Sequence, residues 1–472
     1  MKRALILAGG GIRVAWQAGA VQALDEAGLR FDHGDGTSGG IFTLGMLLSG
    51  VEPAALGDRW RSLPVRRFVS FLPLRQYLRL PTSWPAFGSA SGITDHVLPH
   101  LGIEVDRIRS ATAMTGTFNV ADFDAKTCVA IPNDDIDIDR LVAGVSLPIF
   151  LPAVPARGRT WTDAVWIKDA NLMEAVRRGC NELWLLWCIG NTPYWGNGPL
   201  EQYVHMIELS ANSALIGELE QIADINERRR RGEAVFGSTE EAVVHVVKPD
   251  LPLPLDPDFV TGRITAETLV AMGYRDAWRY VRARTEEGTA LDGTATRMAV
   301  PPLGARVVLR MQGKVPLDQD LPPEAVTVSF VVEVTDIGRF AHDPVATASV
   351  VGGIDHPRWG YRPFVDATLR VGNDGDGVKR FSVSAAVRVE EDEPVFELGW
   401  SLRRGRGRWR DASRVSLAVR PSRGAPVGEH GSGRIGCRDA IRAVVAFEPS
   451  GAHDLRDRAR AANLMVGFLR DR

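Results

Sequence analysis

The sequence predicts an α/β domain built on a central, mostly parallel sheet, followed by a mainly antiparallel β domain and a short C-terminal helix. Three observations predict it. Apolar runs of strand length alternate with helix-period segments over the first part of the chain, as in strand-helix-strand units. A Gly-, Thr- and Pro-rich stretch, Gly288 to Gly304, then breaks that pattern. Beyond it, alternating runs such as Val326-Thr327-Val328-Ser329-Phe330-Val331-Val332 are separated by turn residues, as in an antiparallel sandwich or barrel. The expected limits are 1–290 for the α/β domain, 305–420 for the β-rich domain and 435–472 for the helical tail.

At 472 residues the chain can hold two or three domains, each with its own core. A net charge of -2 and a pI near 6.5 give no bulk attraction to nucleic acid or anionic membrane. No nucleic-acid partner is expected. Cys128, Cys180, Cys188 and Cys437 show no paired or metal-ligand spacing, which fits reduced thiols in a cytoplasmic protein with no metal, cofactor or disulfide framework. Met1-Lys2-Arg3 precede too short an apolar run for a signal peptide, whose core needs about 7 to 15 residues. No stretch reaches transmembrane length, so a soluble protein is expected. Oligomeric state leaves no signal.

In chain order, Ala4 to Ala8 is a compact apolar strand, Gly9-Gly10-Gly11 a turn, and Trp16, Ala20, Val21 and Leu24 recur with helical spacing. The turn leaves the N–H groups of Gly10, Gly11 and Ile12 unobstructed near a helix N-terminus, where negative charge is stabilised. A dinucleotide pyrophosphate or the oxyanion of an acyl-transfer intermediate would suit it. The dinucleotide fingerprint is incomplete, because Val14 stands where its third glycine belongs, although Asp32 could serve as its ribose-binding acid. Nucleotide binding is therefore the weaker reading.

Gly36-Thr37-Ser38-Gly39-Gly40 is the chain's only Gly-x-Ser-x-Gly, and it lies in the stretch from Phe31 where a short polar turn gives way to the apolar helix pattern Ile41, Leu44, Met46, Leu47, Leu48. A strand-turn-helix can hold a serine on a strained elbow with its hydroxyl exposed above the sheet, and Gly36 and Gly40 clear the space around it. Ser38 is the candidate nucleophile; a helix-capping serine is the bland alternative. From Gly50 to Gly102 the aromatics Trp60, Phe68, Phe71, Tyr77, Trp84 and Phe87 could form a lid or acyl-binding surface, or simply pack. Strands are expected at Ala113 to Val120 and Thr127 to Ile131. Asp163 follows in a predicted loop, ahead of a helix, Leu172 to Arg178, and a strand, Leu183 to Ile189.

Three of these segments together resemble the patatin-like phospholipase family. Gly9-Gly10-Gly11-Ile12-Arg13 with Gln17-Ala18-Gly19 is similar to its glycine-rich opening. Gly36-Thr37-Ser38-Gly39-Gly40 is similar to its nucleophile motif, and Ser146-Leu147-Pro148 to Phe150-Leu151-Pro152 to the segment leading to its catalytic Asp. The resemblance covers about the first 290 residues and implies a three-layer α/β/α fold. It implies a Ser38–Asp163 dyad, an oxyanion site at Gly10 and Gly11 with Arg13 adding positive potential, and a lipid or phospholipid ester as substrate. It also allows transient contact at a membrane surface. Asp169-Ala170-Asn171 competes for the place of the acid, but the spacing to Gly179-Cys180-Asn181-Glu182 favours Asp163. Ala164-Val165 replace the two small residues that usually follow that acid, and Val14 replaces a glycine. A lipid-binding or regulatory protein with an impaired site is thus the second reading. A hydrolase triad would need a histidine, and no motif selects among His33, His96, His100, His205 and His245.

Tyr203 to Glu233 reads as a long helix ending in Arg228 to Arg231, which suits the helix dipole and could also touch lipid phosphates. A strand, Val243 to Val247, and a helix, Ala266 to Arg284, complete the first domain. The β-rich region, with Val334-Thr335-Asp336-Ile337-Gly338-Arg339-Phe340, resembles the module appended to some cholesterol-oxidase-like (GMC-type) flavoenzymes and lipid hydrolases. Its basic run, Arg403 to Arg410, reads as a charged hairpin tip, and Asp454 to Arg472 as an amphipathic helix docked on its parent domain.

Overall fold

The computed structural model describes residues 2–64, 70–71, 86–191, 193, 195–196, 198–253, 264–300, 302–315, 323–343, 345–373, 378–403, 413–420, 430–436, 438–439, 447–452 and 454–470. The chain forms two compact units, Met1–Ala299 and Val300–Arg472. Phe68, Tyr77 and Trp84 of the expected lid, Cys437, and Arg404 to Arg410 of the basic run lie outside the described residues.

The first unit contains β1 (Arg3–Leu7), β2 (His33–Thr37), β3 (Ser70–Phe71), β4 (Gly88–Ser89), β5 (Thr115–Asp122), β6 (Thr127–Pro132), β7 (Val154–Ala156), β8 (Arg159–Asp163), β9 (Glu182–Leu186) and β10 (Val243–Val247). Strands β3 and β4 pair separately. The main sheet runs β10-β9-β1-β2-β5 in parallel, and β6, β8 and β7 extend it antiparallel. Strands β1, β9 and β10 are near-continuous apolar runs because both faces of a parallel sheet are covered. One cover is the helix Pro199–Arg230, whose Ile207, Ala211, Leu215, Leu219, Ile222 and Ile225 recur on one side and join the core of β1, β9 and β10. Its terminal arginines have structural partners: Arg228, Arg230 and Arg231 pair with Glu233, Glu241 and Glu227, and Arg229 donates to the carbonyls of Val235 and Glu240.

Strand β2 departs from this pattern. His33-Gly34-Asp35-Gly36-Thr37 holds no aliphatic side chain, yet all five residues are buried. Composition alone reads it as a polar turn. Pairing on both edges, with β1 and β5, satisfies its backbone, and its polar side chains find partners on β5: His33 on Thr115 and Thr117, Asp35 on Thr117 and Asn119.

Register then positions the site. Thr37 at the end of β2 pairs with Asn119, and the next residue of β5, Val120, pairs with Asp163 at the end of β8. Because β6 occupies the other edge of β5 along residues 117–122, β2 and β8 share one edge end to end. The residue leaving β2, Ser38, therefore meets the residue ending β8. Helices α1 (Ala15–Glu26) and α2 (Gly40–Leu48) follow β1 and β2, and both expected strand-turn-helix units are present.

The second unit is a closed antiparallel barrel of β11 (Ala305–Val315), β12 (Glu324–Val334), β13 (Ala346–His356), β14 (Gly360–Asn373), β15 (Val378–Val387), β16 (Val395–Arg403), β17 (Arg414–Arg420) and β18 (His430–Arg434). Strand β18 closes it by pairing with β11. Alternation sorts the side chains: Val326, Val328, Phe330, Val332 and Val334 of β12 are buried in the core. The helix Leu455–Arg470 docks on this unit through Ala461 and Phe468, whose ring lies 4.7 Å from that of Phe340. Among the described residues, no helix is long and apolar enough to cross a membrane.

Candidate active site

Ser38 sits between β2 and α2 with φ 51, a left-handed conformation that costs a non-glycine residue on the order of 1 kcal/mol. The elbow is forced by close packing. A Cβ on Gly40 would lie 2.1 Å from the carbonyl oxygen of Leu7, so only glycine lets α2 start against β1. The Ser38 hydroxyl donates to Asp163 Oδ2 at 2.6 Å. Asp163 Oδ1 accepts the Val165 N–H at 2.9 Å, and the Asp163 N–H donates to the Ser146 carbonyl at 3.2 Å. The carboxylate is thus held from both sides and from its own backbone. It ends strand β8, a correction to the loop expected from sequence; the strand exists because β5 outruns β2 and offers it a free edge.

Asp163 is buried, and burial raises its pKa to about 7 against the opposing hydrogen bonds from Ser38 and Val165. A carboxylate with that pKa is a far better base for a hydroxyl than an exposed one. Among the described residues, no histidine bonds to Ser38 or Asp163. His33 bonds to Thr115 and Thr117, His100 to Ser62, His205 to Glu208, and His245 to Tyr280. Burial also holds His33 down at about 3, so it is neutral across the useful pH range.

The glycine turn lies against the elbow. Gly10 and Gly11 have φ 152 and 58, values open to glycine, and the turn leads into a short 3-10 helix, Gly11–Val14. Among the described residues, the N–H groups of Gly10 and Gly11 donate to no protein group. Arg13 is buried and its Nε donates to the Gly10 carbonyl at 3.1 Å, bracing the turn from behind. Gln17 ties the same turn to both neighbours: its Nε2 donates to the Ala8 carbonyl at 2.6 Å and its Oε1 accepts from Thr43 of α2 at 3.0 Å. Gly36 lies within β2, packed against the Gly40 carbonyl and Leu44.

Two further groups were not assigned from sequence. Asn119 Nδ2 donates to Asp35 Oδ1 at 2.5 Å and to Thr37 Oγ1 at 3.0 Å, and Asn119 Oδ1 accepts from Asn171 Nδ2 at 2.8 Å. This network fastens β2, β5 and the segment after Asp163 together beneath the elbow. The signal available was polar residues at Asp35, Thr117 and Asn119 in places where a buried strand should be apolar. The second group is Asp169, the rejected competitor for the acid, which accepts the Gly9 N–H at 3.0 Å.

No curated protein matches the chain. Residues 5–176 match the model of the family described as Patatin-like phospholipase. That span starts inside β1 and ends in the helix after Asn171, so the part of the first unit that is similar to a patatin-like phospholipase domain includes both Ser38 and Asp163.

Proposed function

We propose that the first unit is a serine lipid acyl hydrolase acting on a lipid or phospholipid ester through a Ser38–Asp163 dyad. The observation that carries this reading is the 2.6 Å hydrogen bond from a serine on a strained elbow to a buried carboxylate of raised pKa. Asp163 accepts the hydroxyl proton as Ser38 Oγ bonds to the ester carbonyl carbon. The carbonyl oxygen becomes an oxyanion, held by the Gly10 and Gly11 N–H groups, with Arg13 supplying positive potential nearby; one such donor is worth about 3 kcal/mol. When the tetrahedral intermediate collapses, the ester C–O bond breaks and the leaving alkoxide takes the proton from Asp163. Water, deprotonated by the same carboxylate, then attacks the acyl-Ser38 carbonyl, releasing the fatty acid and restoring the hydroxyl.

An apolar rim supports an acyl substrate. The segment that starts at Ser146, bonded to the Asp163 backbone, exposes Ile149 and Phe150, and Phe87 beside them is 56% exposed. The Phe87 N–H donates to the Ile149 carbonyl at 2.9 Å, which joins the three into one patch suited to acyl chains and to transient contact with a membrane surface. The described cysteines are free thiols, in keeping with a cytoplasmic site of action. A fluorophosphonate probe tests the reading: labelling of wild type that vanishes in Ser38→Ala supports the hydrolase. No labelling of folded wild type would favour a lipid-binding or regulatory protein with an impaired site.

A further inference from the structure

The reaction above leaves one buried acid beside the nucleophile without a part. Asp169 is fully buried. Its Oδ1 accepts the Gly9 N–H at 3.0 Å, while its Oδ2 is buried with no hydrogen-bond partner among the described residues. A Cβ on Gly9 would lie 2.2 Å from that Oδ1 and 2.8 Å from Ser38 Cβ, so this glycine is all that separates the carboxyl from the nucleophile's side chain. An ionised carboxylate with a bare, desolvated oxygen is costly; a neutral carboxyl is far less so.

The charges around it act in both directions. Asp163 adds a second negative charge and favours the neutral acid, whereas Arg13 and the Gly9 N–H favour the ionised form. Cys188 donates to the Gly9 carbonyl at 3.3 Å, and burial pushes its thiol up to about 12, so it brings no charge. Burial outweighs Arg13, and the Asp169 carboxyl is pushed up to about 8. Both oxygens of Asp163 accept hydrogen bonds whereas Asp169 Oδ2 is bare, so the geometry favours a shared proton on Asp169 and the charge on the acid that faces Ser38.

We propose, resting on the hydrolase reading above, that Asp169 is a positioning residue that works as a neutral acid. By holding the Gly9 N–H it sets the turn that presents Gly10 and Gly11, and its ionisation switches the site off in alkali. A negative charge one glycine away from Ser38 opposes the developing oxyanion and loosens a turn whose geometry the rate depends on.

The test uses the full chain as wild type, Asp169→Asn and Asp169→Ala, with p-nitrophenyl butyrate as substrate across pH. Wild-type kcat/KM should fall tenfold per pH unit above about 8, and Asp169→Asn, which keeps an acceptor for Gly9 but cannot ionise, should lack that fall. Asp169→Ala should lose roughly 100-fold in kcat at pH 7 with little change in KM, and Asp169→Asn should recover at least tenfold of it. An alkaline fall in Asp169→Asn that superimposes on wild type, or an Asp169→Ala protein as fast as wild type, would overturn the proposal.

Thermal unfolding against pH gives a reading that needs no turnover. The folded state holds this proton more tightly than the unfolded chain, so wild type should lose Tm relative to Asp169→Asn as pH rises from about 4 to about 8, then run parallel. Identical pH dependence of Tm would mean that Asp169 is already ionised, and the proposal fails. If the Tm difference appears but wild type turns over no ester, the hydrolase reading falls and the neutral, turn-holding Asp169 stands.

Discussion

The sheet of the first unit buries Asp35, Asp163 and Asp169, whereas the barrel of the second buries hydrocarbon at its inward positions, with His356 its single buried polar side chain among the described residues. The barrel strands run from 5 to 14 residues and those of the first unit's main sheet from 3 to 8. In the barrel, apolar burial favours the fold, and the alternation seen on β12 is interrupted by register shifts on β13 and β14. In the first unit, β2 breaks the rule, and each buried acid must be held by specific donors to be tolerated at all. Two of the buried acids, Asp163 and Asp169, and the left-handed φ of Ser38 come together at one place, as the proposed dyad would require. The barrel's departure among the described residues is His356, whose Nε2 lies 3.2 Å from a Glu324 carboxylate oxygen.

The largest effect that can break this comparison is at the nucleophile. Ser38→Ala should lower ester turnover by about 10⁴-fold or more at unchanged Tm, because the polar elbow serves chemistry and its loss costs the fold little. Next comes a barrel substitution. Leu398→Ala, in the barrel core, should cost about 3 kcal/mol of that unit's stability in denaturant unfolding while Ser38 labelling per folded molecule stays the same. Lost labelling in a folded Leu398→Ala protein would end the division of labour between the units.

Acid titration sharpens the same contrast. Asp163 must be ionised to accept a proton, and its pKa is raised to about 7, so kcat/KM should fall tenfold per pH unit below that value. A rate that stays flat to pH 5 would remove Asp163 as base. The smallest effect belongs to Asp35, which burial also raises to about 7. Its folded form binds a proton more tightly than the unfolded chain does, so stability is lost as pH rises from about 4 to about 7. Asp35→Asn should abolish that loss, roughly 1 to 4 kcal/mol in unfolding free energy measured across pH.

Much of this was legible in the sequence, and the limits are physical. Gly9-Gly10-Gly11 and Gly36-Thr37-Ser38-Gly39-Gly40 are local motifs, because a turn's demand on its own residues is local. The alternating runs of the barrel are legible for the same reason. Spacing alone favours Asp163 over Asp169, but its place at the end of a strand leaves no local signal, because which edge of β5 takes β8 depends on where β2 stops. The Asp35–Asn119–Asn171 network joins residues 84 and 52 positions apart, and no periodicity encodes such pairs. Composition misread β2 itself, since its burial is imposed by its neighbours and not by its own side chains.

The central claim is that Asp163, and no histidine, takes the Ser38 proton. The measurement that tests it most directly is p-nitrophenyl ester turnover by Asp163→Asn beside the single His→Ala variants at His33, His96, His100, His205 and His245. The account predicts a loss of about 10⁴-fold in Asp163→Asn, with turnover retained in every folded histidine variant. A folded histidine variant that is inactive, or an Asp163→Asn protein that keeps wild-type turnover, would contradict it.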